Sequence, residues 1–147
     1  MTEVQQGKYG VSVTLVSVQG GGRNVVQAAG EATAKGQSLY IRYEEMQPGP
    51  EGNEVSVRNT LKITEGGLKL IRHGGVQSEQ SFEPGQQLPG FYRSPYTQFN
   101  LTTDTRKLDI KRDGRSLAVS WEYDLYVYGE LSGQFAISLN IQEEPQS

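Results

Sequence analysis

Apolar and polar residues alternate along almost the whole chain, a period of two that puts one face of an extended strand on a core and the other in water. Tyr9, Val11, Val13 and Leu15 share a face of a first strand. Val16 and Val18 then carry the apolar phase, a slip of one residue that predicts a bulge or a strand exchanging faces. Glycines at 20–22 make the first turn, residues 24–35 form a second strand, and Lys35-Gly36 turns it into LYIRYEE. QPGPEGN, residues 47–53, concentrates proline and glycine and reads as the main loop of the first half. Val55, Val57, Leu61 and Ile63 carry a strand closed by Gly66-Gly67. Leu68 and Leu70 open the next, which Gly74-Gly75 turns back into VQSEQSF.

FEPGQQLPG reads as a longer connection leading into YRSPYTQFNLTTDT. There Ser94-Pro95 imposes an extended residue before the proline and removes one ladder donor, so YRSPY marks an edge or a corner. Phe99, Leu101 and Thr103 face inward beyond it, a strand entered through a bend. Residues 117–127 and 135–141 alternate without interruption. Turns recur about every 8 to 14 residues, as in an antiparallel meander, and helical periodicity is absent. The pattern predicts an all-β chain, residues 1–147 forming a single antiparallel barrel of about eight to ten strands. An open sandwich with unpaired first and last strands is the alternative.

Read in order, LYIRYEE, LKLIRHGGVQSEQSFEPG, YRSPYTQFNLTTDT and the strand ending WEYDLYVYG resemble the YwiB-like family of uncharacterised bacterial proteins. The resemblance runs from about Gly10 to Glu143 and is carried by three elements. These are Arg72 to Gly74 as Arg-x-Gly, Phe82 to Gly85 as Phe-x-x-Gly, and Tyr92 to Tyr96 followed by a strand ending near Thr103 or Thr105. It implies a calycin-like, lipocalin-resembling β-barrel. It brings no activity, because no catalytic residue comes with it. Thr97 stands where the family commonly has glycine, which implies a differently shaped turn after Tyr96.

A chain of 147 residues is long enough to bury one core without metal or disulfide staples. Its 14 basic and 17 acidic residues are scattered, leaving a charge of -3 and no basic stripe, so neither nucleic acid nor a membrane surface is the expected partner. The absence of cysteine excludes disulfides, Cys-ligated zinc and thiol catalysis. MTEVQQGKYG lacks the basic start and apolar run of a secretory signal, and no segment approaches the roughly 20 apolar residues of a membrane span. A cytoplasmic location is expected.

Candidate catalytic chemistry is thin. The single histidine, His73, shares the outer phase of Lys69 and Ile71 and has no neighbouring cluster for ligation or base catalysis. Glu44-Glu45 and Glu143-Glu144 are adjacent, so the two members of each pair point to opposite faces, as at a solvated strand end. No helix follows the glycines at 20–22 to make a phosphate loop. No enzymatic activity and no cofactor are expected.

The inward phase is more informative. It collects Arg72, Ser78, Gln80, Asn59 and Thr103, beside a stripe of small residues, Ala28, Gly30, Ala32 and Ala34, in the phase of Val26. Arg72, Gln80 and Trp121 are therefore candidate ligand-binding residues, together with Tyr92, Arg93 and Tyr96 on the YRSPY bend, which either line the mouth of the pocket or seal it. In one reading they form the polar end of a cavity for a small amphipathic or anionic molecule, and the protein is a non-enzymatic carrier or sensor. In the other, Trp121 and Tyr123 fill the space over the stripe and Arg72 caps the mouth through carbonyls or a carboxylate. The barrel is then solid, and Tyr126, Tyr128 and Tyr40 on its outside serve a protein partner.

Overall fold

The computed structural model describes residues 7–49 and 51–144. They form ten strands: β1 (Lys8–Gln19), β2 (Gly22–Lys35), β3 (Ser38–Pro48), β4 (Glu54–Ile63), β5 (Leu68–Gly74), β6 (Gln77–Phe82), β7 (Gln87–Arg93), β8 (Gln98–Asp113), β9 (Ser116–Val127) and β10 (Glu130–Glu143). Each is antiparallel to the next in chain order, and β1 pairs with β10 from Val11↔Glu143 to Gln19↔Phe135. No first or last strand is left free, so the barrel is closed and the sandwich alternative falls.

Hairpin geometry gives the barrel two unlike ends. The turns at 36–37, 64–67, 83–86 and 114–115 lie at one end, and those at 20–21, 49–53, 75–76, 94–97 and 128–129 at the other. In the first half the inward phase is mostly apolar, with Thr103 and Thr105 of β8 as buried exceptions: Val11, Val13, Ile41, Leu61, Ile63 and Ile141 are all fully buried. Phe82 packs against Trp121 and Tyr123, with ring centroids 5.5 and 4.7 Å away. The second half, called the mouth here, carries the other polar inward residues.

Several local expectations change. Both ladders of β1 run through Leu15 and Val16 without a register shift, so no bulge lies there. Val16 and Val18 sit on the outer face, where β-branched residues favour the strand without being buried. The real shifts lie in β8, between Thr105 and Lys107, and in β10, between Leu131 and Gly133. In β8 the extra residue is Arg106, which pairs outward with Glu122 and Asp124 at 3.3 and 3.2 Å. The connection after Phe82 is shorter than FEPGQQLPG, because β7 already begins at Gln87.

YRSPYTQFN is also not one strand entered through a bend. It is a hairpin, with Tyr92 of β7 opposite Phe99 of β8. Its corner is built by Ser94, whose N–H donates to the Thr97 carbonyl at 2.8 Å while its Oγ accepts from the N–H groups of Tyr96 and Thr97 at 3.3 Å each.

Two ladders stop well before the ends of their strands. β6 and β7 share three pairs, Gln77↔Arg93 to Glu79↔Phe91, and part toward the apolar end. β2 and β3 share six, Gly30↔Tyr43 to Lys35↔Ser38, and part toward the mouth. Beyond that point β2 stays paired to β1 back to Gly22, and β3 stays paired to β4 on to Pro48. Residues 22–29 and 44–48 thus face each other across a seam with no ladder between them.

Candidate functional site

Period-two alternation carries Tyr43 and Glu45 of β3, Asn59 of β4, Arg72 of β5 and Gln80 of β6 onto the inner wall of the mouth half. There they meet Trp121 and Tyr123 of β9 around a cavity of about 310 Å³. Leu15, Val26, Leu70 and Phe135 supply its apolar walls.

Its polar side is a closed hydrogen-bonded triad. Arg72 donates from Nε to Asn59 Oδ1 at 3.1 Å and from Nη2 to Glu45 Oε1 at 3.2 Å. Asn59 Nδ2 donates to the same Glu45 oxygen at 3.0 Å. The side chains of Arg72 and Glu45 are only 22% and 19% exposed, and Asn59 is 2% exposed. A guanidinium so placed requires a charged partner, and Glu45 is that partner. Burial and the Glu45 carboxylate raise the Tyr43 hydroxyl to about 12, against a smaller opposing effect of Arg72. Burial also pushes Tyr123 up to about 12, partly offset by its hydrogen bond with Gln80. Both phenols are therefore neutral donors at physiological pH.

Four of the six residues expected at the site line this cavity together: Arg72, Gln80, Tyr92 and Trp121. Tyr92 stacks on Phe99 at 5.3 Å. Arg93 and Tyr96 do not reach it. With Tyr92 inward, Arg93 must point outward, where its guanidinium lies 4.8 Å above the Phe91 ring, and Tyr96 stands 78% exposed on the corner.

The expectation that Glu45 marks a solvated strand end is overturned. The signal was present, since Leu39, Ile41, Tyr43 and Glu45 continue one inward phase, but only the Arg72 contact gives it meaning. Tyr43 was missed as a cavity group for the same reason, while Tyr123, expected to fill the interior over the small-residue stripe, lines the cavity. Of the outer tyrosines, Tyr126 and Tyr128 line one surface pocket with Asn100 and Thr102, whereas Tyr40 lies apart from them on β3 with Arg42 and Lys62 5.6 and 5.9 Å from its ring.

A wider lateral cleft of about 1070 Å³ opens at the β2/β3 seam. Val26, Tyr43, Glu45 and Asn59 line both spaces, so the seam and the interior share a wall. His73 lies on the outer side of this cleft, and among the described residues no group of three or more metal-ligating side chains exists. Among them no helix is long and apolar enough to cross a membrane.

A family profile described as a domain of unknown function, DUF1934, matches residues 12–139. The chain belongs to that family. It is 26% identical over 96 residues to an uncharacterised β-barrel protein, YwiB, of Bacillus subtilis (strain 168). That match covers 65% of this chain and 64% of the relative, so the chain spans just under two thirds of the relative's length. The crystal structure of the ywiB protein from Bacillus subtilis superposes with a TM-score of 0.76 over 94% of both chains at 19% identity, a likeness of fold.

Proposed function

We propose that the protein is a non-enzymatic carrier or sensor that holds a small amphipathic ligand in the mouth cavity. The observation that carries this reading is a space of about 310 Å³, at the small end of known ligand pockets, with apolar walls and one converging polar cluster. The Arg72–Glu45 pair narrows the ligand. A bare carboxylate would have to displace Glu45, so the head group that fits without charge conflict accepts from Arg72 and donates to Glu45.

The rival, an interaction module that takes no ligand, draws support from the same pair, because Arg72 is satisfied by its own chain. Two measurements separate the readings. Native mass spectrometry of protein purified from its own host is expected to show a retained small molecule. Titration with a fluorescent fatty amide and fatty acid, read through Trp121, the single tryptophan, is expected to show binding that favours the amide.

Arg72→Met is expected to weaken that binding by on the order of 1.5 to 3 kcal/mol, the scale of a charged hydrogen bond. Arg72→Met with Glu45→Gln removes both charges, and is expected to keep or raise the melting temperature. No retained molecule together with no probe binding by the wild type would leave the interaction module as the reading.

A further inference from the structure

We propose that the β2/β3 seam is a docking site for an extended acidic peptide segment of a partner protein, added as a strand to the free edge of β2. This site shares a wall with the interior cavity, but the proposal stands whether or not a ligand occupies that cavity.

Alternate residues of an antiparallel strand direct their N–H and C=O groups to opposite sides. Across residues 22–29 one set is used by β1, and every second residue offers its groups to the seam. Natural edges are normally blunted by charge or proline. The β3 lip follows that rule with Glu44, Glu45 and Pro48. The β2 lip carries a charge only at its turn end, Arg23: Asn24 to Ala29 reads NVVQAA, with no charge and no proline. An extended backbone is the chemistry that satisfies such an edge.

The cleft there has room for one, and its lips expose apolar surface at Val25 (44%) and Met46 (56%). Charge selects the sign of the occupant. Of the three acids of the cleft, Glu31 is paired with Lys8 at 4.0 Å and Glu45 with Arg72, while Glu44 accepts from Ser56 Oγ at 2.7 Å and keeps its charge opposite Arg58 in the ladder, so one free carboxylate stands against two arginines. Arg42 and Arg58 line the same cleft, and among the described residues neither has a carboxylate within ion-pair distance. A second copy of the chain offering its own β2 edge would bring no acid to these arginines along residues 22–29.

The test uses the full chain and three labelled octapeptides, alternating valine with glutamate, valine with lysine, and the first sequence N-methylated at alternate amides. Fluorescence anisotropy should show saturable binding of the glutamate peptide. The lysine and N-methylated peptides should bind about tenfold or more weakly. Hydrogen exchange should slow at residues 23–29 when the glutamate peptide is bound. Arg58→Gln should reduce the preference for the glutamate peptide over the lysine peptide without the like-charge pair that a glutamate there would make with Glu44, and a cooperative thermal melt should show that the variant is folded.

Binding indifferent to N-methylation would overturn strand addition. Absence of saturable binding would overturn the site. Concentration-dependent dimerisation that protects residues 23–29 without peptide would replace the acidic peptide by a second copy.

Discussion

The barrel parts its strands twice, and the two seams are resolved differently. Where β6 leaves β7, the chain supplies its own partners. Thr103 of β8 reaches past β7 to donate its hydroxyl to the Ser81 carbonyl at 2.5 Å. The Gly85 N–H meets the Thr105 carbonyl at 2.8 Å, and the Thr105 N–H meets the Gln86 carbonyl at 3.2 Å. Gly90 lets the β7 backbone come so close to β6 that a Cβ there would collide with the Glu79 carbonyl oxygen. Where β2 leaves β3, Gly30 likewise brings the backbone close to the Arg42 carbonyl, but among the described residues no hydrogen bond crosses the seam beyond it and a cleft remains. A closed barrel therefore tolerates missing ladder bonds when the orphaned groups have another outlet: side chains and a loop at the apolar end, an open cleft at the mouth.

The contrast is broken most severely at Gly90. Gly90→Ala pushes a methyl into backbone rather than into a flexible side chain. It is expected to destabilise by about 1–3 kcal/mol or more, read as a lowered urea midpoint. Thr103→Val keeps the shape but strands the Ser81 carbonyl, with an expected loss of about 1–3 kcal/mol in the same assay.

A gentler effect comes from the mouth tyrosines. Tyr43 and Tyr123 titrate near 12 in the folded protein against 10 for a free phenol, so the folded state keeps protons that the unfolded state releases. Their contribution is fully present below pH 10 and is lost as pH rises from about 10 through 12. Thermal melts across that range should fall, and Tyr123→Phe should flatten the fall. Last, Gln27→Thr on the open edge is expected to change stability by no more than about 0.5 kcal/mol. A large loss there would mean that the seam is a structural joint like its counterpart.

Much of this was legible in the order of residues. Alternation is a local property of an extended chain, so it located the strands and set the inward phase of Arg72, Gln80 and Trp121, while the bend leaves Tyr92 open. By the same rule Arg93, next to Tyr92, could have been placed on the opposite face from it. Ladder length is not local. Asn24 to Gly30 and Ala32 to Ala34 alternate alike, yet one run is free and the other paired, because strand separation depends on how ten twisted strands close around a fixed set of side chains.

The charge at the site shows the same division. Sequence determined that Arg72 points inward, and therefore that something must neutralise it. That the partner is Glu45, 27 residues away and two strands over, follows only from the stagger of β3 against β4 and β5. A buried charge demands a partner by its solvation energy alone, whereas the identity of that partner is set by register, which only the closed barrel defines.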